Sequence, residues 1–463
     1  MFLDKDFRDK NICIMGLGYV GLTLATIMAE IGFQVLGVEI KDDVLEKLRR
    51  GEPHFFEPGL AERLKKVVDD QKIVFAKHIP EGYPANVYVI TVGTPLDDNG
   101  RVRLDMVESV VREVSRQLKG HELVIMRSTV KLGTTSRLVR PILEEAQVPF
   151  DLAFCPERTL EGEALSELRH LPQIVGAVTK GGAVRAAQLF QFITPTEVMV
   201  SDAETAEMIK LIDNSQRDTN FAFANEVARI CNAAGISALE VIKAGKLGYP
   251  RTNVLMPGLV GGPCLEKDPH ILAEGLKEFG VEPEIIKTAR SLNEKQPKEV
   301  VEYLYHLTKT LPGFPEAPTI TLLGFAFKGK PATDDLRGTM AKPVLNRLKE
   351  YFPKANFRAF DPVVPDEAIS AVFGLLPYPS LEEAMAGSHL VMILNNHPMF
   401  GGMPIERLAK SLAKPGLIYD FWNNFVAQDL HLPFEAGYIA LGSHGKAVLP
   451  NRSNQDFLYG QSS

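Results

Sequence analysis

Cysteine, tryptophan and long apolar runs are all scarce in this 463-residue sequence, which holds four cysteines and one tryptophan. Cys13, Cys155, Cys231 and Cys264 are scattered with no CxxC spacing, so neither a disulfide frame nor a cysteine zinc site organises the chain. The ten histidines show no paired ligand spacing either, and no metal is expected. No run reaches 18 apolar residues, and the segment from Phe2 to Lys10 is too charged for the apolar core of a signal peptide. The expectation is therefore a cytoplasmic protein with no membrane insertion. Positive charge is not in excess: 51 Lys+Arg against 58 Asp+Glu leave a net charge of -7, which argues against nucleic acid as the main partner.

What is present is apolar material in short, ordered pieces. With 45% hydrophobic residues over this length, the chain is globular and long enough for two or three domains. Lys10 to Met15 is an apolar run of strand length. Gly16-Leu17-Gly18-Tyr19-Val20-Gly21 follows, then an apolar helix-length stretch to Ile31, then Val35 to Glu39. That is one βαβ unit. Asn86–Val92 and Glu122–Met126 repeat the strand signal, separated by the helical pattern Met106–Leu118, as in a parallel, helix-covered sheet. The expected first domain covers residues 1–200.

Ser201-Asp202-Ala203-Glu204 reads as a capping box, with the Ser201 hydroxyl on the Glu204 amide. No proline or glycine interrupts the chain from there to Ala234. A helix of that length would run ~45 Å, which predicts a spine between domains or subunits within a central helical and dimerisation region, 201–311. Pro297–Pro318, with Pro312, Gly313 and Pro315 around a helical stretch, is the linker candidate. Beyond it Thr319–Gly324, Met340–Tyr351 and Phe357–Asp361 repeat the strand–helix–strand–acid order, so 312–463 reads as a second doubly wound domain without the glycine fingerprint. The tail after Asn451 is polar and expected to be mobile.

The glycine motif is informative because of its setting. Gly16 suits the tight turn, Gly18 lets backbone approach a pyrophosphate, and Gly21 lets helix pack on strand; Tyr19 and Val20 open the helix whose amides face the phosphates. Glu39, eighteen residues past Gly21, would accept from ribose hydroxyls and repel a 2′-phosphate, which selects NAD over NADP. On the long helix Glu207, Lys210, Asn214 and Asp218 share one face, either a solvated stripe or a set able to stabilise an alkoxide. In Gly261-Gly262-Pro263-Cys264-Leu265-Glu266-Lys267-Asp268, the cysteine is either a small buried hydrophobe or a thiolate favoured by a helix N-terminus, with Asp268 placed to move protons. Glu157, in Phe154-Cys155-Pro156-Glu157-Arg158, falls where a strand ends and site residues of α/β sheets gather; Cys155 itself reads as core.

Taken in order, these segments resemble the UDP-sugar 6-dehydrogenases, the family of UDP-glucose and UDP-N-acetylmannosamine dehydrogenases. Further likenesses are Glu57-Pro58-Gly59-Leu60, Thr94-Pro95, Ser128-Thr129-Val130, Gly324-Phe325-Ala326-Phe327-Lys328 and Asp334-Asp335-Leu336-Arg337. The resemblance implies two Rossmann-like domains joined by a long central helix. It also implies a four-electron oxidation of a sugar primary alcohol with two NAD molecules consumed in turn, in polysaccharide biosynthesis. On that pattern Asp268, Lys210 and Asn214 take the alcohol proton and hold the alkoxide, Cys264 captures the aldehyde, and Glu157 with Thr129 supports thioester hydrolysis. Thr94, Thr129 and Arg337 line the cofactor side. Glu157, Arg158, Lys210, Asn214, Arg251, Asn253, Gly261 and Lys328 contact the UDP-sugar, Arg251 by reaching a partner's site in a homodimer or higher homo-oligomer.

The sequence departs from that pattern at the sugar subsite. Pro263 stands where serine or histidine is usual, Glu266 where proline is common in the glucose enzymes, and Leu259-Val260 breaks the usual glycine alternation. Arg158 after Pro156-Glu157, the Pro250–Asn253 segment and His397-Pro398-Met399-Phe400 are more like the N-acetylhexosamine branch. The expected substrate is a UDP-N-acetylhexosamine (N-acetylmannosamine or N-acetylglucosamine), with UDP-glucose the alternative. More distant alternatives are a two-electron hydroxyacid dehydrogenase and a non-catalytic NAD-binding scaffold.

Overall fold

The computed structural model describes residues 7–451. The polar tail after Asn451 and the first residues of the charged N-terminal segment lie outside the described residues. The chain forms two compact units. Among the described residues, one takes the chain up to Ser215 together with Lys267–Pro283; the other takes Gln216–Glu266 together with the residues from Glu284 on.

The first unit is built on an eight-stranded sheet of β1 (Asn11–Met15), β2 (Gln34–Val38), β3 (Ile73–Ala76), β4 (Val87–Ile90), β5 (Glu122–Met126), β6 (Phe150–Phe154), β7 (Gln173–Ala177) and β8 (Glu197–Met199). Their order is β3-β2-β1-β4-β5-β6-β7-β8. Neighbours are parallel except β6 and β7, which run antiparallel through Ala153–Ala177 and Phe154–Gly176. The central strands are buried on both faces, as helix-covered sheets are: Ile12 and Ile14 join one apolar layer while Cys13 and Met15 join the other. Strand order reverses between β1 and β4, the position at which sheets of this kind place their ligands.

The second unit carries a five-stranded, all-parallel sheet of β9 (Thr319–Leu323), β10 (Asn356–Phe360), β11 (Leu390–Ile393), β12 (Gly416–Asp420) and β13 (Ala436–Ala440), ordered β10-β9-β11-β12-β13. The expected doubly wound repeat is therefore present. Its opening uses the same local device as the first sheet. Gly16 (φ +92°) donates its N–H to Val38 at the end of β2, and Gly324 (φ +89°) donates to Phe360 at the end of β10. The acid one residue past the second strand then accepts from the turn: Glu39 from the Leu17 N–H at 3.2 Å, Asp361 from the Phe325 N–H at 2.6 Å.

The long helix spans Ala203–Ala234, and the division between the units falls within it. Its cap differs from the one expected. The Asp202 carboxylate, not the Ser201 hydroxyl, accepts from an amide of the first turn, Thr205 N–H at 2.7 Å, because the charged oxygen is the stronger acceptor and the helix begins after it. Ser201 bonds Asp202 and Thr205 side chains instead. The linker expectation is also corrected at its start. Pro297 lies inside helix Glu284–Thr310, so only the residues after Thr310 connect to β9. The missing Pro297 N–H is offset by burial of that helix face, where Val300, Val301 and Leu304 join the core of the second unit.

Candidate active site

The glycine turn after β1 has the shape its sequence implied. A side chain on Gly21 would overlap the carbonyl of Gly16, whereas one on Gly18 would meet nothing within 4 Å. The helix Tyr19–Ile31 starts at Gly18 with no side-chain cap, leaving first-turn amides for an anion. Glu39 sits beside the turn and accepts from the Leu17 and Lys41 N–H groups, which uses only part of a carboxylate's acceptor capacity. These residues fit a dinucleotide: open backbone at Gly18 for the pyrophosphate and a carboxylate for ribose hydroxyls.

At the carboxyl ends of β4, β5 and β6 the first unit gathers most of the other expected residues. Thr94 Oγ1 donates to the Thr129 carbonyl at 2.5 Å and accepts from Lys267 Nζ at 3.3 Å; Lys267 Nζ also lies 3.1 Å from Asp268 Oδ1. Asp268 Oδ2 accepts from Asn214 Nδ2 at 2.6 Å. The result is one chain of polar contacts from Thr129 to Asn214. Asp268 is fully buried at the first position of helix Asp268–Leu276, with Lys267 as countercharge. A carboxylate so placed can accept a proton, and the cation beside it can stabilise an alkoxide.

Glu157 is held by a residue that the sequence reading missed. Arg127, directly after β5 and with no side-chain exposure, donates to Glu157 Oε2 at 2.6 and 3.2 Å, to the Cys155 carbonyl at 2.9 Å and to Gln173 at 3.1 Å. Burial alone would push the Glu157 carboxyl up; Arg127, the Thr159 N–H and Lys210 outweigh it and hold the group below the usual carboxylate range. Glu157 is thus ionised at neutral pH. The available signal for Arg127 was a lone charge closing the apolar run of β5. Cys155 is buried, its thiol pushed up to about 12 by desolvation, in keeping with the core reading.

The polar face of the long helix is not solvated: Glu207, Lys210, Asn214 and Asp218 are all buried. They divide by task. Lys210 and Asn214 belong with Glu157 and Asp268. Glu207 instead ties down the turn before residue 135, accepting from the Gly133 and Thr135 N–H groups and the Thr135 hydroxyl, and burial raises it to about 7 against those donors. Asp218 serves the second unit.

In that second unit Cys264 is partly exposed and lies in a turn, while the other three cysteines are buried. Helix Asp268–Leu276 starts four residues later than an N-terminal thiol would need, so the thiolate argument from helix amides does not apply to Cys264. The glycines before it allow close packing. Gly262 donates to the Gly338 carbonyl at 2.7 Å, and a side chain on Gly261 or Gly262 would overlap Gly338 or the Phe327 ring. The cysteine loop is thereby packed on the segment containing Lys328, whose ammonium lies over Phe327 at 5.4 Å. Glu266, the residue in place of proline, packs its carboxylate against Gly338.

The remaining expected residues are placed as follows. Arg158 bonds the Pro172 carbonyl and lies 3.5 Å from Asp213. Arg337 is bidentate on Asp335 with much of its side chain in solvent. Arg251 lies over the Tyr249 ring, and both Arg251 and Asn253 are exposed. Among the described residues no helix is long and apolar enough to cross a membrane.

Three family models cover the chain in order: the NAD binding domain of the UDP-glucose/GDP-mannose dehydrogenase family over residues 10–194, its central domain over 204–295 and its UDP binding domain over 321–427. A UDP-N-acetyl-D-mannosamine dehydrogenase of Pyrococcus horikoshii is 32% identical over 409 residues, 87% of this chain and 93% of that protein. One from Campylobacter jejuni is 36% identical over 352 residues, 73% of this chain and 83% of that protein. Among solved structures, UDP-D-ManNAc dehydrogenase from P. horikoshii matches with a TM-score of 0.83 at 30% identity, covering 94% of this chain and all of that one.

Proposed function

Because the chain belongs to the UDP-glucose/GDP-mannose dehydrogenase family, we propose that this NAD-dependent UDP-sugar dehydrogenase oxidises the C6 alcohol of a UDP-N-acetylhexosamine to the uronate in two steps through Cys264. The names of the relatives and the local likenesses around Arg158 and Arg251 support the sugar assignment. The observation that carries the chemistry is the chain of polar contacts Thr129–Thr94–Lys267–Asp268–Asn214, in which Thr94, Asp268 and Asn214 are buried, together with Glu157 held below the usual carboxylate range in the same unit.

NAD held by the Gly16–Gly21 turn and Glu39 supplies a hydride acceptor, once for each oxidation. Asp268 takes the alcohol proton, while Lys210 and Asn214 hold the alkoxide. Cys264 Sγ adds to the resulting aldehyde carbon, giving a thiohemiacetal whose oxidation leaves a thioester. Covalent capture retains a carbon that could otherwise leave as free aldehyde. Glu157, with Thr129 placing the water, takes a proton from that water as it attacks the thioester; the carboxylate product leaves and the thiol is restored. By the family likeness Lys328, Gly261, Arg158 and Asn253 are assigned to the substrate and Arg337 to the cofactor.

The long helix pairs two subunits and Arg251 reaches the partner's substrate. Exposed apolar side chains support this: Phe223 and Ile230 on that helix, Leu247 after it and Ile285 on helix Glu284–Thr310 are all more than half exposed.

The test is NADH released per UDP-sugar consumed, measured over UDP-N-acetylmannosamine, UDP-N-acetylglucosamine and UDP-glucose. The expected ratio is about two, with kcat/KM at least about tenfold higher for an N-acetylated sugar. A pocket shaped for the acetamido group loses roughly 1–3 kcal/mol of transition-state binding with glucose. A ratio near one removes the thiol mechanism; a preference for UDP-glucose moves the substrate to the alternative.

A further inference from the structure

The loop carrying Cys264 is gripped from its buried side by polar residues of two helices, and no step of the chemistry above uses them. Arg290, on helix Glu284–Thr310, is 2% exposed. One of its terminal nitrogens donates to the Leu265 carbonyl and the other to the Val260 carbonyl, each at 3.0 Å. A single planar guanidinium thus joins the backbone on both sides of the cysteine. Asp218, from the long helix, is its countercharge at 2.7 Å.

The grip extends further. Asn293 Nδ2 donates to Asp218 Oδ1 and to the Asp218 carbonyl, while Asn293 Oδ1 accepts from Asn225 Nδ2 at 2.9 Å. Asn225 then closes on both backbone groups of Gly258, its Oδ1 accepting the N–H at 2.9 Å and its Nδ2 donating to the carbonyl at 3.1 Å. Asp218, Asn225 and Asn293 are each at most 1% exposed. Residues 252–261 have no regular secondary structure. The backbone from Gly258 to Leu265 is therefore pinned at three points by side chains, and a buried, mutually bonded polar network of this kind favours one conformation over its alternatives.

We propose that Arg290 is a positioning residue: with Asp218, Asn293 and Asn225 it fixes the cysteine loop so that Cys264 Sγ is presented to the aldehyde carbon. This rests on the reading of Cys264 as the nucleophile. Covalent capture requires near-attack geometry, and displacement by about 1 Å can cost about a hundredfold in rate. A loosened loop lets the first oxidation proceed while the thiol misses its carbon, so aldehyde escapes. A network that served only to hold the unit together would not produce that signature.

Arg290→Lys is the test, because a lysine keeps a cation for Asp218 but cannot span both carbonyls with a planar fork. Three readings are taken under turnover: aldehyde trapped by a hydrazine, NADH per uronate, and the rate of Cys264 alkylation by iodoacetamide followed by peptide mass. The expected result is trapped aldehyde, a ratio above two, an altered alkylation rate, and uronate formation down about 10–100-fold with NAD affinity unchanged. No trapped aldehyde, a ratio of two and alkylation at the parent rate overturn the proposal. If Arg290→Lys does not fold, Asn225→Ser, which releases Gly258 without touching a charge, decides by the same readings. Cys264→Ala is measured alongside. Uronate from Cys264→Ala at the parent rate overturns the nucleophile reading itself, whereas its loss together with an unaltered Arg290→Lys overturns only the positioning role.

Discussion

Replacing Arg127 by methionine removes a buried cation and leaves Glu157 with its charge and little water. The guanidinium makes two short contacts to the Glu157 carboxylate and further bonds to Cys155 and Gln173, with no side-chain exposure of its own. Breaking a buried pair by deleting one partner typically costs about 3–5 kcal/mol, because the other charge stays buried without compensation. At roughly 2–4 °C per kcal/mol for a unit of this size, the thermal midpoint should fall by about 6–20 °C at pH 7. The pH dependence has a definite sign. The folded Glu157 carboxyl sits below its usual value, so its contribution to stability is present above the unfolded carboxyl range and is lost as pH falls through the folded value. Without Arg127, burial dominates and the Glu157 pKa rises. The variant should then lose less stability than the parent on going from pH 7 to 5, and its uronate-forming activity should gain an acid limb shifted toward neutrality. Thermal melts at both pH values, run on Arg127→Met, Glu157→Gln and the double variant, complete a cycle. The double variant should lose less than the sum of the singles, since it strands no charge. Additive losses would refute the claim that an uncompensated buried charge sets the cost.

Two further outcomes follow from the chemistry. Cys264→Ala should keep NAD and UDP-sugar binding, measured by calorimetry, yet make no uronate, and Glu157→Gln should accumulate a sugar adduct on Cys264 visible by intact mass under turnover with NAD. Mixing Arg251→Ala with Cys264→Ala protein should restore partial activity if Arg251 serves the partner's site; failure after verified subunit exchange would assign it to its own subunit.

Much of the frame was legible because it depends on local rules. The glycine turn followed by an acid, the short apolar runs and the unbroken stretch from Ala203 to Ala234 each announce themselves within a few tens of residues. The face shared by Lys210 and Asn214 was legible as a spacing, but its burial was not. What stayed hidden was pairing over distance. Arg127 meets Glu157 thirty residues on, and Arg290 meets Asp218 seventy-two residues back. Arginines are too common for either to stand out until the fold surrounds them. Pro297 misled for a related reason: a helix breaker by local rule, it sits in a helix whose buried face outweighs the missing N–H. Cys264 is the cysteine that the fold leaves partly exposed, but the helix-amide argument for its acidity fails because the helix begins only at Asp268.

The shared opening of the two sheets bears on how such a chain can diverge. In both, a glycine donates to the end of the neighbouring strand and an acid clasps the turn, yet only the first turn runs straight into a helix, at Tyr19. In the second, the next helix begins at Ala341, seventeen residues past Gly324. That intervening stretch carries Lys328 as well as Phe327 and Gly338, on which the cysteine loop packs, so its composition is tied to that loop and not to a helix N-terminus. One copy of the device thus opens directly onto helix amides and the other onto a loop, so a substitution in the second stretch leaves the glycine turn of the first unit unchanged.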